Sequence, residues 1–198
     1  MNSTKLISTV FKSRQKEISA YVTQAEAIQE KVLRQLLDKA AVTEWGREYD
    51  YKHIKNYQDY QRVPIQTYEE IKNYVDRMRH GEKNVLWPGQ VVWYAKSSGT
   101  TNDKSKFIPV SKEGLQTVHY AGGRDSVALY LKNNPDSRLF SGRALILGGS
   151  HAPNYNLPGS LVGDLSAILI ENCSTFVNMM RVPGKDIALL SDFEEKMD

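Results

Sequence analysis

The chain holds a single cysteine, Cys173, among 198 residues, so no disulfide closes within it and no cysteine pair is available for a metal. It has no apolar run near the roughly 20 residues of a membrane span. The opening Met1-Asn2-Ser3-Thr4-Lys5-Leu6-Ile7 gives way to Ser8-Thr9 too soon for a signal peptide, which makes the cytoplasm the expected location. Neither sign of charge dominates: 26 Lys and Arg stand against 23 Asp and Glu, a net of +3. That is too weak to attract nucleic acid or a membrane surface. The four histidines, His53, His80, His119 and His151, show no metal-ligand spacing, and no metal site is expected from them. What is present is an ordinary globular composition, 40% hydrophobic and 25% charged, enough for one sizeable core or two small ones.

From Ser13 to about Ala41, the apolar positions Ile18, Tyr21, Ala25, Ile28, Val32, Leu36 and Ala40 recur at helical spacing without Gly or Pro, which predicts one long amphipathic helix. Thr43 to Tyr51 ends it, and the Tyr-, Lys- and Gln-rich residues that follow read as a connector. Thr67 with Glu70 forms a capping box for a second helix running to about Arg79. Val91-Val92-Trp93-Tyr94-Ala95 and Phe107-Ile108-Pro109-Val110 read as strands, being short, β-branched and aromatic. Residues 113 to 131 read as a helix weakened by Gly122-Gly123, Ala144 to Leu147 as a strand, and Gly163 to Ile170 as a helix. Ala188 to Asp198 reads as a helix that stops in mid-pattern, so a chain cut short is expected. Strands alternating with helices indicate an α/β layer.

Between the first two strands lies Lys96-Ser97-Ser98-Gly99-Thr100-Thr101-Asn102-Asp103-Lys104-Ser105-Lys106. Small hydroxylated residues and glycine let backbone N–H and side-chain O–H groups converge on phosphate oxygens, and lysine adds compact positive charge. The Walker pattern fails here, because Gly99 to Lys104-Ser105 is one residue short and lacks its second glycine. The dinucleotide pattern G-x-G-x-x-G is also absent. A solvent-exposed polar turn is the competing interpretation of such a cluster; the flanking strands and Lys106 favour a nucleotide loop of a different type.

Ser97-Ser98-Gly99-Thr100-Thr101, with Lys106 just before Phe107-Ile108-Pro109, resembles the phosphate loop of the acyl-adenylate-forming superfamily. More closely, the chain resembles the auxin-responsive acyl acid amido synthetases and their bacterial relatives. Thr43-Glu44-Trp45-Gly46, Val63 to Glu69, Gly163 to Ile168 and Ile187 to Glu194 are similar to that family's N-terminal portion. The resemblance implies an α/β fold, the N-terminal part of the large domain of an adenylate-forming enzyme: a helical lead-in over 1–60, then an α/β part over 61–198 with the phosphate loop at 97–106. On this resemblance the family's C-terminal domain is expected to be absent from these 198 residues. It also implies a ligase using ATP and magnesium to convert a carboxylic acid to an acyl-adenylate, then passing the acyl group to an amine such as that of an amino acid. No nucleic-acid or membrane partner is implied.

Carried onto this sequence, the resemblance makes Ser97, Ser98, Gly99, Thr100 and Thr101 the phosphate cradle. Lys106 becomes the cation beside the leaving pyrophosphate, and Arg124 a partner for the acyl carboxylate. Asn102 and Asp103 depart from the family, where glycine is common. Asp164 in Gly163-Asp164 reads as a helix N-terminal residue, since the family's ribose-binding Gly-Asp segment comes later. The isolated chain is expected to be inactive for want of adenine and ribose contacts. A non-catalytic α/β interaction or regulatory module is the alternative.

Overall fold

The computed structural model describes residues 3–97 and 105–197. In chain order the elements begin with α1 (Ser3–Thr23), α2 (Ala25–Ala40), α3 (Glu44–Glu48), α4 (Tyr57–Tyr60) and α5 (Tyr68–Arg79). There follow β1 (Trp93–Lys96), β2 (Phe107–Val110), α6 (Lys112–Gly114), a π-turn (Leu115–His119), α7 (Tyr120–Asn133) and β3 (Ala144–Leu145). The last are β4 (Leu161–Gly163), α8 (Leu165–Asn172), α9 (Thr175–Met179), β5 (Arg181–Val182) and α10 (Lys185–Ala188). They gather into two compact units, one of Met1–Thr23, Lys112–Ala152 and Gly163–Asp198, the other of Gln24–Ser111 and Pro153–Val162.

In the first unit α1 packs on α7. Two hydrogen bonds of 2.5 and 2.8 Å join the Arg14 guanidinium to the Asp125 carboxylate, and the Gln15 amide donates to the Ala128 carbonyl at 3.1 Å. Ala128 and Leu131 are buried on the inner face of α7. Gly122 and Gly123 face open space, with nothing within 4 Å of an added Cβ, so no close packing requires them. β3 and β5 form a parallel pair. The N–H of Ser150 donates to the Asp164 carboxylate at 3.0 Å, and the N–H of Gly149 to the Ser166 hydroxyl at 2.8 Å. A Cβ on Gly149 would fall 2.1 Å from an Asp164 carboxylate oxygen. Asp164 thus precedes α8, as its sequence position predicts, and its carboxylate is spent on a neighbouring turn. Cys173 is half-buried, with its thiol donating to the Ile170 carbonyl.

In the second unit Leu37, Ala40, Tyr51 and Ile54 form a buried cluster, with Leu33, Trp45, Tyr60, Val63 and Trp87 packed against it. Thr43 caps α3, accepting the Gly46 N–H at 2.9 Å and donating to the Ala40 carbonyl at 2.7 Å. That turn draws the backbone so close that a Cβ on Gly46 would fall 2.0 Å from the Ala40 carbonyl oxygen. Both the N–H and the hydroxyl of Thr67 donate to the Glu70 carboxylate, at 2.6 and 2.7 Å, which fixes the start of α5 as the capping box predicts. A three-stranded sheet runs in the order β2-β1-β4.

Several expectations are corrected. The single long helix is two helices, broken where Gln24 leaves the helical region at φ −132° and ψ 27°; α1 and α2 serve different units, so packing overrides an unbroken local pattern. The buried stripe of α2 is Leu33, Leu37 and Ala40, while Val32 and Leu36 stand roughly half exposed, at 46% and 47%. The run Thr43 to Tyr51, read as ending the helix, contains α3, and the connector after it holds a 3₁₀ turn at Tyr51–His53 and α4. The strand expected over 144 to 147 pairs only at Ala144 and Leu145, and the tail beyond α10 forms turns rather than a helix.

Two outcomes follow. Gly46→Ala should lower stability by about 3 kcal/mol, the upper range for overpacking, read as a fall in the urea midpoint. The Arg14 guanidinium holds the Asp125 carboxyl below its ordinary value, chiefly by hydrogen bonding and against the cost of burial. That contribution is fully present above about pH 3.9, the unfolded aspartate value, and is lost as pH falls through the lower folded value. Asp125→Asn should therefore make unfolding less steeply dependent on pH in that acid range.

Candidate functional site

β1 and β2 pair antiparallel, with Trp93 opposite Val110 and Lys96 opposite Phe107. One step further, the Ser97 N–H donates to the Lys106 carbonyl at 2.9 Å, and the Lys106 N–H donates to the Ser97 hydroxyl oxygen at 3.0 Å. These two bonds close the neck of the loop. They consume the backbone N–H groups of both residues and leave the Ser97 O–H free to donate elsewhere. Ser98, Gly99, Thr100, Thr101, Asn102, Asp103 and Lys104 lie outside the described residues.

Because Ser97 and Lys106 form a hydrogen-bonded pair, the alternation of an antiparallel ladder turns the next residue, Phe107, away from β1. β2 is an edge strand, so the Phe107 N–H needs a partner from outside the sheet. The Tyr68 hydroxyl at the start of α5 accepts it at 2.9 Å and lies 3.5 Å from the Phe107 carbonyl. The Lys106 ammonium sits 5.5 Å above the Tyr68 ring.

The far end of α5 reaches the same residue. The Arg79 guanidinium stacks 3.7 Å over the Phe107 ring and donates to the Tyr155 carbonyl at 2.8 Å. Arg79 is only 9% exposed, and its Nε has no hydrogen-bond partner among the described residues. The Tyr155 ring packs 5.8 Å from Phe107 and lies 4.3 Å below the Lys96 ammonium. Three cations, Lys96, Lys106 and Arg79, thus rest on aromatic faces around one loop base, each contact worth about 0.5–2 kcal/mol. For Lys96 and Lys106 such an arrangement holds positive charge in place without neutralising it, whereas Arg79 also has the Asp76 carboxylate 3.9 Å away.

Beneath this layer Tyr94 is fully buried, its hydroxyl unpartnered among the described residues. Burial pushes the phenol up to about 12, against the opposing pull of the Arg79 charge. Arg124 lies exposed on α7 in the first unit, where its charge helps keep Asp125 ionised. No group of three or more His, Cys, Asp or Glu able to hold a metal occurs among the described residues. Sequence reasoning missed Tyr68, Arg79 and Tyr155 as neighbours of the loop. For Tyr68 the usable signal was parity, since pairing of Ser97 with Lys106 turns the Phe107 N–H outward, where it needs a partner; no such signal marks Arg79 or Tyr155.

Comparison with known proteins adds an independent line. A family profile, the GH3 family N-terminal domain, matches residues 14–198. The chain is 34% identical over 97 residues to indole-3-acetic acid-amido synthetase GH3.17 of Arabidopsis thaliana, a match spanning 48% of this chain and 16% of that protein. A 24% identical match over 117 residues, 59% of this chain and 20% of the other, is to the Arabidopsis thaliana 4-substituted benzoates-glutamate ligase GH3.12. The structure superposes on that of GH3.15 acyl acid amido synthetase with a TM-score of 0.75 at 22% identity, over 100% of this chain and 33% of that one. The matched α/β fold is therefore about a third of the solved relative.

Tyr94→Phe should leave stability at neutral pH unchanged or raised, because it removes a buried hydroxyl that has no partner. The tyrosine contribution is fully present below about pH 10, the unfolded value. It is lost as pH rises through the folded value of about 12. Alkaline urea titrations of Tyr94→Phe should accordingly show a shallower decline in that window.

Proposed function

Since the chain belongs to the GH3 family, matching its N-terminal domain over residues 14–198, we propose that it supplies the ATP phosphate-binding part of an acyl acid amido synthetase. The relatives it matches are amido synthetases and ligases by name, and each is several times longer than the segment matched. The whole reaction is thus proposed for a polypeptide to which these residues contribute. In it, a carboxylate oxygen of the acid attacks the α-phosphorus of ATP, the bond to the β-phosphate oxygen breaks, and pyrophosphate leaves. The amine of an amino acid then attacks the acyl carbon, and AMP leaves. Magnesium bound to the nucleotide would offset phosphate charge, and the cytoplasm would supply both.

The observation that carries this reading is the neck. Ser97 and Lys106 are locked to each other by two hydrogen bonds, so the Lys106 side chain leaves the sheet from a fixed backbone position. A compact ammonium so held stabilises negative charge growing on the leaving pyrophosphate without having to reorganise as it develops. The Ser97 hydroxyl, accepting from Lys106, directs its own proton outward as a donor. Ser98, Gly99, Thr100 and Thr101 complete the proposed cradle. Arg124 is proposed as partner to the acyl carboxylate.

ATP–pyrophosphate exchange by the full-length gene product, over a panel of aryl and alkyl carboxylic acids, tests the proposal. Exchange should depend on the acid, and Lys106→Ala should reduce it by about 10²-fold or more, the usual cost of removing one preorganised charge-stabilising group. Exchange unchanged in Lys106→Ala would remove the lysine from the mechanism.

A further inference from the structure

We propose that α5 is the brace that aims Lys106, with Tyr68 as its positioning residue and Arg79 as its second anchor. This rests on the phosphate-loop reading above and extends it to residues outside the loop. Both ends of α5 converge on Phe107, the residue that follows Lys106. At one end the Tyr68 hydroxyl takes the Phe107 N–H at 2.9 Å; at the other Arg79 stacks on the Phe107 ring at 3.7 Å.

The start of α5 is itself immobilised by the Thr67 and Glu70 bonds, and its end by the bond from Arg79 to the Tyr155 carbonyl. Val75 and Met78 are buried between them, so the helix cannot roll without uncovering apolar surface. A strand edge with a free N–H could slide or twist by the small distance that misplaces an ammonium, and misplacement on the order of 1 Å is enough to cost about 10²-fold in a site that depends on orientation. Tyr68 acts twice on the same lysine, since its hydroxyl fixes the Phe107 backbone and its ring lies 5.5 Å beneath the Lys106 ammonium.

The test is a double-mutant cycle read by calorimetric binding of inorganic tripolyphosphate to the 198-residue chain. Lys106→Ala should weaken binding at least about tenfold, and Tyr68→Phe about five- to tenfold, the scale of one hydrogen bond. In the Lys106→Ala background Tyr68→Phe should change affinity less than about twofold, because a residue acting through the lysine has nothing left to aim. Arg79→Gln should show the same coupling, and supplies the answer should Tyr68→Phe fail to fold by circular dichroism. Equal losses in both backgrounds would mean a merely structural helix, and no loss from Tyr68→Phe beside a clear loss from Lys106→Ala would mean a lysine that needs no brace; either overturns this inference and leaves the phosphate-loop reading standing. Absence of tripolyphosphate binding by the unmutated chain, or binding insensitive to Lys106→Ala, would overturn that reading and this one with it.

Discussion

One backbone N–H organises the region around the loop. β2 is an edge strand, and the Ser97–Lys106 pair forces the Phe107 N–H outward, where it must find water or a side chain. Tyr68 supplies the partner, and because Tyr68 opens α5, that bond ties the helix start to the loop neck. The Thr67 and Glu70 contacts that cap α5 then serve two purposes. They satisfy the helix terminus, and they keep the Tyr68 hydroxyl at the height of the strand edge.

The aromatic setting of the cations follows from the same constraint. In the proposed phosphate-binding role, the positive charge cannot be neutralised by carboxylates, since a close ion pair would cancel the field a phosphate would meet. Aromatic faces offer a weaker attraction with no net charge. Lys96 on Tyr155 and Lys106 on Tyr68 are held this way. By contrast, Arg77 is paired with Glu44 and Glu82 and contributes little field beyond its own neighbourhood. One helix thus carries an arginine held by two carboxylates and, two residues on, one that stacks on an aromatic ring with a single, longer carboxylate contact to Asp76 at 3.9 Å.

Legibility in the sequence followed the range of the interaction. The capping box at Thr67 and Glu70, the strand Phe107–Val110 and the helix after Asp164 were readable because each is set by residues within a few positions of one another. Around the loop, what was legible was the pair of apolar runs that flank its hydroxyls, glycine and lysines, both of which form strands. The break at Gln24 was not, because no local residue demands it; α1 and α2 belong to different compact units. Nor were Arg79 and Tyr155, separated by 76 positions and joined by a side chain reaching a backbone carbonyl. β5 was obscured for a similar reason: a two-residue strand in a parallel pair leaves almost no periodicity to detect, whereas its partner β3 was legible in Ala144 to Leu147 and is only shorter than its apolar run.

The choice of arginine at 79 and lysine at 106 shows the division of labour. A buried cation that must touch both a ring and a carbonyl needs a flat group with donors at its rim, and guanidinium provides both. Lysine at 79 could reach the Tyr155 carbonyl or lie over Phe107, but its single nitrogen could not do both well. The burial cost is partly offset by the ring contact and the 2.8 Å bond, while the unpartnered Nε shows that the compensation is incomplete. At 106 the requirement is reversed. Negative charge grows on the leaving group during the proposed step, and a compact ammonium already held where that charge develops need not reorganise, provided its backbone does not move. Rigidity is therefore placed in α5 and the neck, which hold the backbone beside Lys106 and set the Tyr68 ring beneath its ammonium.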